Sequence, residues 1–242
     1  MAVTVDVLVN KTTLIERALV CGTSRIMKAI SERDQAAIAL SGGSTPKPLY
    51  EAFAEQALPW EKIHIFWGDE RYVPAHHPDS NQRMARLAWL DHIDIPASNI
   101  HPMPTAANNP DADAQAYDQE LSQFFQTEPG QFPTFDLILL GLGDDGHTAS
   151  LFPHTEALQV CDRLITVGNK DGEPRLTFTI PLINKARSVV FLVAGASKQT
   201  ALAEIFAPEA NANQYPARFI QPQGELIWLL DQGAGANLSA TP

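Results

Sequence analysis

The chain has 242 residues and 45% hydrophobic content, so it can bury a substantial core, and its length fits one domain over residues 1–242. A formal charge of -11, with only 17 Lys and Arg residues, argues against nucleic-acid or anionic-membrane partners. The start lacks a basic segment leading into a long apolar run, and no stretch approaches transmembrane length, so we expect a cytoplasmic protein. The isolated Cys21 and Cys161 indicate neither a disulfide framework nor a zinc site, and the oligomeric state stays open.

The first half of the chain alternates between strand-like and helix-like segments. The predicted strands are 3–9, 36–40 and 63–67. The predicted helices are 13–32, 46–54, one that starts near Asp79 or Ser80, and 111–125. A capping box of Thr13 and Glu16 should open the first helix, and Ser44 or Thr45 should cap the second, in which Pro46 is the first residue.

The second half continues the alternation. The predicted strands are 135–140, 163–167, 175–180, 188–194 and 226–230, with a helix at 197–206. Strands separated by helical segments are typical of parallel βαβ units with right-handed crossovers. The sequence therefore predicts a single-domain α/β fold, with a doubly wound, Rossmann-like, mostly parallel sheet and helices on both faces.

The most informative segment is 135–153, in which an apolar run stops at a glycine-rich loop that carries two aspartates and a histidine. Open α/β sheets bind ligands beyond the carboxyl ends of their strands. His147 is therefore a candidate general base, and Asp145, two residues earlier, is a candidate to orient its ring. The alternative is that His147 is a structural histidine.

Residues 141–146 also match the GxGxxG fingerprint of dinucleotide-binding proteins. Asp144 and Asp145 would put negative charge where a pyrophosphate should sit, and Pro153 truncates the helix that should follow. Such a fingerprint also usually belongs to the opening βαβ unit. We predict no nucleotide cofactor and no metal site.

A glycine-rich turn joins the second predicted strand to its helix. Gly42 and Gly43 free backbone N–H groups, Ser44 and Thr45 add hydroxyls, and the helix end is positive, a combination suited to an anion. The spacing of a Walker loop is absent. An ordinary capped turn would have the same sequence.

Further charged and polar residues lie at element ends. Asp69 and Arg71 follow the third strand, so they either face a ligand crevice or form a solvated loop with a local ion pair. Asn81 opens the next helix, where the helix dipole favours an anion, or it is a capping residue. Lys198 lies at the start of a helix, which the helix dipole disfavours unless an anion compensates. Arg175 begins a strand. A flexible surface lysine is the alternative for Lys198.

Together these motifs resemble the 6-phosphogluconolactonase branch of the glucosamine-6-phosphate isomerase/6-phosphogluconolactonase family. The matching segments follow the order of that family and span most of the chain: 39–46, 67–71 with 80–81, 141–153, 175–181 with Asn184, 195–198, and 216–218 before Trp228. The resemblance implies a Rossmann-like fold and metal-free hydrolysis of a phosphorylated sugar lactone, 6-phospho-D-glucono-1,5-lactone, in the pentose phosphate pathway.

The resemblance also implies roles for matching positions. His147 would be the general base. The phosphate would be held by Gly42, Gly43, Ser44, Thr45, Arg175 and Lys198, and the sugar site would be lined by Asp69, Arg71 and Asn81. One departure is His154, where members often have glycine; we expect it to alter a loop and not the chemistry.

Two other functions stay open. Glucosamine-6-phosphate deaminases have a related motif with a glutamate five residues after the histidine, a position that here is Phe152. Without that carboxylate, deamination loses a partner in its acid–base relay, whereas activation of a water needs only the histidine. A non-catalytic phosphosugar sensor would keep the phosphate residues but would need neither His147 nor Asp145.

Overall fold

The computed structural model describes residues 2–238, which contain ten strands and seven α-helices. The strands are β1 (Ala2–Leu8), β2 (Ala36–Leu40), β3 (Ile63–Trp67), β4 (Asp69–Arg71), β5 (Ile100–His101), β6 (Leu137–Leu140), β7 (Ile165–Lys170), β8 (Glu173–Phe178), β9 (Ser188–Val193) and β10 (Glu225–Asp231). The helices are α1 (Lys11–Arg33), α2 (Lys47–Ala54), α3 (Asn81–Ala88), α4 (Pro110–Phe125), α5 (Ile180–Asn184), α6 (Gln199–Phe206) and α7 (Gln232–Gly235). Each predicted element has a counterpart near its predicted position, whereas β4, β5, α5 and α7 were not predicted. In this described part of the chain, no helix has the length and apolar character needed to cross a membrane.

Seven parallel strands form the central sheet, in the order β1-β10-β9-β6-β2-β3-β5. Every residue of β2, β6 and β9 is buried, as expected for apolar strands covered on both faces. Successive residues of a strand point to opposite faces of the sheet, so two neighbours in β1 show which helix covers each face. Asp6 forms an ion pair with Arg17 of α1, and Val7 lies against Gly235 of α7. The sheet is doubly wound with helices on both faces, which confirms the predicted fold class.

Three strands form a second, antiparallel sheet in the order β4-β8-β7, which corrects the assignment of all strands to one sheet. β7 and β8 are a hairpin whose turn, Asp171-Gly172, has positive φ at both residues (55° and 91°), as a type I′ turn requires. Gly68 joins the two sheets, because its N–H donates to Leu40 O at 2.9 Å and its carbonyl accepts from Phe178 N at 2.8 Å. The small sheet is thereby fixed at the carboxyl end of β2.

Two helix starts differ from the predictions. Asn10 is the N-cap of α1: its side chain accepts from Thr13 N at 3.0 Å, and Thr13 Oγ1 accepts from Asn10 N at 3.2 Å. Thr13 is therefore the third helical residue of the capping box and not the cap. Pro46 is the N-cap of α2, and no side chain caps this helix, so Ser44 and Thr45 do not serve as caps.

The strand order reverses between β2 and β6. From β2 the chain continues through β3 to β5 on one side, whereas from β6 it continues through β9 to β10 on the other. The connections after β2 and β6 diverge at such a point and leave a crevice at the carboxyl ends of the strands. The turn after β2, with residues 42–45, and the loop after β6, with Asp145 and His147, both lie at this crevice.

Candidate active site

The predicted catalytic pair lies in the loop that follows β6. His147 Nδ1 is 2.5 Å from Asp145 Oδ1, and the same oxygen accepts from His147 N at 3.1 Å. Burial raises the pKa of Asp145, but the hydrogen bond and charge of His147 outweigh it and lower this pKa to about 2. Asp145 is therefore ionised at neutral pH and can only accept a hydrogen bond. It follows that Nδ1 carries the proton in the neutral ring, and Nε2 is the free base.

Gly143 makes room for this pair. Its N–H donates to His147 O at 2.8 Å and closes the loop. A Cβ at Gly143 would lie 2.0 Å from His147 Nδ1 and 2.5 Å from Asp145 Oδ1, so the loop requires glycine here. Residues 141–153 contain no helix, in agreement with the argument against a dinucleotide site.

Two arginines lie side by side near the catalytic loop. Arg71 of β4 and Arg175 of β8 are cross-strand partners, and within residues 2–238 the buried Nε of each has no hydrogen-bond partner. Burial, followed by the charge of Arg71, lowers the pKa of Arg175. Arg175 Cζ is 5.9 Å from the centroid of the Phe152 ring, and this ring is 4.6 Å from the His147 ring. Adjacent cations with unused donors are suited to an anionic ligand.

Lys198 approaches the catalytic loop from the connection after β9. Its Nζ is 2.5 Å from Asp144 Oδ1, which also accepts from Ser197 Oγ at 3.0 Å. The hydrogen bond from Lys198 lowers the pKa of Asp144. Asp231, at the end of β10, accepts from Gly195 N at 3.0 Å and fixes the connection. The carboxylate partner of Lys198 was not predicted from the sequence.

Asp69 and Asn81 form a buried polar cluster on the β2 side of the crevice. Asn81 Nδ2 donates to Asp69 O at 2.9 Å, and Asp69 Oδ2 accepts from Ser150 Oγ at 2.7 Å. The Asn81 side chain also occupies the space beside Gly42, where a Cβ would lie 1.8 Å from its Oδ1. Ser150 is a site residue that the sequence analysis missed, although it belongs to the 141–153 motif.

Of the remaining turn residues, Gly43 and Ser44 are exposed and Thr45 is half-buried. Gly43 has a φ of 100°. Ser44 O accepts from Lys11 Nζ at 2.9 Å, so a second lysine from a helix N-terminus lies beside the turn. A lysine at a helix N-terminus is disfavoured by the helix dipole, which is the argument that selected Lys198 as a candidate anion-binding residue. The same argument could have selected Lys11. Within the described chain, no side-chain hydrogen bond joins Ser44 or Thr45 to the other site residues, and their phosphate role stays a prediction.

Glu70 positions the residues on either side of it. Its carboxylate accepts from Asn81 N and Gln82 N at 2.7 Å each and from Arg71 N at 2.8 Å. Burial raises the pKa of Glu70, and these backbone hydrogen bonds oppose that rise. A carboxylate at the N-terminus of α3 is also favoured by the helix dipole. Glu70 was not among the residues singled out from the sequence.

His154 lies in a loop and adopts a backbone conformation that favours glycine. Its φ of 58° is in the left-handed region, where glycine has the least strain. His154 N donates to Asn213 O at 3.1 Å, and Nε2 is 2.7 Å from Gln214 Oε1. These contacts tie the residue to the 213–214 segment and involve none of the predicted site residues.

The fold and the site define a Rossmann-like α/β protein with an oriented histidine at its crevice. The oriented histidine lies at the topological switch point, and arginine and lysine side chains near it suit an anionic small molecule. Among residues 2–238, no three or more His, Cys, Asp or Glu side chains are grouped so as to hold a metal ion.

Comparison with known proteins identifies the family. Residues 10–228 match the model of the glucosamine-6-phosphate isomerases/6-phosphogluconolactonase family, and the chain belongs to this family. It is 80% identical over 238 residues to a 6-phosphogluconolactonase of Synechocystis sp., covering 98% of this chain and 99% of the relative. It is 64% identical to that of Nostoc sp., covering 99% and 100%. The solved 6-phosphogluconolactonase from Trypanosoma cruzi is similar with a TM-score of 0.88 at 31% identity, covering 99% of each chain.

Proposed function

We propose that this protein hydrolyses 6-phospho-D-glucono-1,5-lactone to 6-phosphogluconate. The observation that carries the proposal is the 2.5 Å contact between His147 and Asp145, which supplies an oriented base with Nε2 free. Family membership and the similarity to relatives named 6-phosphogluconolactonase support this choice of substrate.

The chemistry needs one base and one positioned water. His147 Nε2 takes a proton from the water as its oxygen attacks the lactone carbonyl carbon, and the Asp145 carboxylate stabilises the resulting imidazolium. The imidazolium then returns the proton to the ring oxygen as the bond between that oxygen and the carbonyl carbon breaks. Water supplies both the new hydroxyl group and the proton, so the reaction is balanced without another reactant.

The substrate phosphate is assigned to the cationic side of the crevice. Arg175 has an unused buried Nε, and Lys198 can exchange its contact with Asp144 for a contact with phosphate. The 42–45 turn adds backbone N–H groups. Arg71 lies beside Arg175 and completes the positive field on the sugar side.

The test follows the decay of freshly generated lactone with wild-type protein and with His147→Ala. Removal of a general base should lower kcat by roughly 10²–10⁴-fold. The His147 side chain is 22% exposed, so circular dichroism should show an unchanged fold. A variant with wild-type kcat would exclude His147 as the base.

Neither alternative function accounts for the site as well. Phe152, which takes the place of the deaminase glutamate, is buried and packs on His147, and a phenyl ring carries no proton. A phosphosugar sensor would need the cations but would gain nothing from a carboxylate that holds one imidazole tautomer.

A further inference from the structure

Ser150 is a buried polar residue that has no part in the reaction described above. It is 0% exposed and lies in the same loop as His147. Its N–H donates to Thr177 Oγ1 of β8 at 3.2 Å, and its hydroxyl donates to Asp69 Oδ2 of β4 at 2.7 Å. Asp69 and Thr177 are cross-strand partners. Ser150 therefore joins the loop that carries the base to two adjacent strands of the small sheet.

The backbone around Ser150 is held from two sides. A Cβ at Gly168 of β7 would lie 2.2 Å from Ser150 O, so the loop packs directly on the third strand of the small sheet. On the other side is a turn in which Leu151 N donates to Thr148 O at 3.0 Å. Ala149 in this turn has a φ of 48°, and such left-handed backbone persists only where the surrounding contacts enforce it. The Ser150 hydroxyl therefore has a fixed position.

Asp69 is the residue that this fixed hydroxyl contacts. It is 7% exposed, and a buried carboxylate needs hydrogen bonds. Within residues 2–238, Oδ2 accepts from Ser150, whereas Oδ1 has no hydrogen-bond partner and is not among the fully buried polar atoms that lack one. Solvent therefore reaches Oδ1, directly after the carboxyl end of β3. A carboxylate oxygen in this position is a strong acceptor for a hydroxyl group of a ligand.

We propose that Ser150 is a positioning residue: its hydroxyl holds the Asp69 carboxylate so that Oδ1 accepts a hydrogen bond from a hydroxyl group of the sugar lactone. This inference rests on the proposed function, which supplies a substrate with ring hydroxyl groups. Those groups take no part in bond breaking, so the contact is the same in the bound substrate and in the transition state. A contact of this kind lowers KM and leaves kcat unchanged. Ser150 thus contributes to affinity for the sugar, whereas His147 performs the proton transfer.

The first test measures kcat and KM for lactone hydrolysis by Ser150→Ala. Loss of the hydroxyl frees the Asp69 carboxylate to rotate, so KM should rise roughly tenfold, on the scale of one charge-assisted hydrogen bond, and kcat should change by less than about threefold. The control is Thr148→Val, which removes another buried hydroxyl of this loop, one that donates to Gly141 O at 2.9 Å and not to Asp69. It should not raise KM.

The outcomes of this test separate the two proposals. A Ser150→Ala protein that loses kcat at an unchanged KM would show that Ser150 only supports the loop around His147, and wild-type values of both constants would show that it has no role. Either result would overturn the positioning role while leaving the proposed reaction intact. A wild-type protein that does not hydrolyse the lactone would instead refute the proposed function.

The second test is a double-mutant cycle that shows whether Ser150 acts through Asp69. In an Asp69→Asn background, Ser150→Ala should change KM by less than about twofold, because the carboxylate that it positions is already absent. Thr148→Val should have the same effect in both backgrounds. If circular dichroism shows that Ser150→Ala is unfolded, Ser150→Cys, which keeps a weak donor, takes its place and should raise KM by a smaller factor. Losses from the Ser150 and Asp69 substitutions that simply multiply would contradict the proposal.

Discussion

Replacing Gly143 by alanine should disable the catalytic pair, although His147 and Asp145 themselves are not substituted. The added Cβ would lie 2.0 Å from His147 Nδ1, 2.3 Å from His147 Cε1 and 2.5 Å from Asp145 Oδ1. Ordinary contacts between such atoms are about 3.5 Å, so the imidazole must move by roughly 1.5 Å. It cannot do so and keep its 2.5 Å contact with Asp145 unless the whole loop shifts.

The expected loss follows from that displacement. A misplacement of about 1 Å costs on the order of 10²-fold in rate, so Gly143→Ala should lower kcat by about 10²-fold or more, equivalent to ~3 kcal/mol of barrier. The KM should change much less, because the cations assigned to the phosphate, Arg175 and Lys198, lie on other elements. The variant should therefore approach the behaviour of His147→Ala.

Gly141→Ala is the matched control in the same loop. A Cβ at Gly141 would meet nothing within 4 Å, so this variant should keep nearly full activity. Both proteins are compared in the lactone-decay assay, and thermal unfolding shows whether each is folded. If the two alanine variants have the same kcat, the pair does not depend on the space at Gly143, and the proposed base geometry is wrong.

Three further predictions concern the phosphate, the reaction and pH. Arg175→Ala and Lys198→Ala should impair hydrolysis of the phosphorylated lactone far more than of the unphosphorylated one, because each charge-assisted bond contributes about 1.5–3 kcal/mol; equal losses would refute the phosphate role. Wild-type protein should release no ammonia from glucosamine 6-phosphate, because Phe152 cannot relay protons; ammonia release, with the lactone decaying at its spontaneous rate, would show that the deaminase reaction is the correct one. Burial and then the nearby His101 lower the pKa of His64 from 6.5 to about 4, so between these values the unfolded chain binds a proton that the native state lacks. Stability should therefore fall by about 1–2 kcal/mol as pH drops through this range, allowing for partial exposure, and denaturant titrations of His64→Asn should lack this slope; identical slopes would contradict it.

Most of the parallel strands in the middle of the sheet were predictable because they are short, largely buried apolar runs bounded by turn residues, whereas the two-residue β5 was not predicted. β2 and β3 fall at the predicted residues, and all of β2 is buried. The membership of β7 and β8 in a separate sheet was not predicted, since apolar content does not show which sheet a strand joins. The dipeptide Asp171-Gly172 was an available signal, because it is typical of a two-residue hairpin turn.

The position of the candidate residues near one edge of the sheet was predictable, whereas the contacts between them were not. These residues come together because the carboxyl ends of parallel strands share one edge of the sheet, which periodicity and motif position suffice to indicate. The contact of Arg71 with Arg175 depends on the register of the small antiparallel sheet, which the sequence analysis did not include. The pairing of Lys198 with Asp144 depends on how two loops approach each other in space. Such tertiary contacts leave no periodic signal in the chain.

The hydrogen-bond partners of the acidic residues give a chemical reason to favour hydrolysis. Three carboxylates of the site already have partners: Asp145 with His147, Asp144 with Lys198, and Asp69 with Ser150. The imidazole also packs on the Phe152 ring, which can neither give nor take a proton. A deamination that needs a second proton relay gets none from the Phe152 ring, whereas lactone hydrolysis needs one proton removed from water and returned to the ring oxygen. A single imidazole, held by one carboxylate in the tautomer that leaves Nε2 free, can perform both transfers.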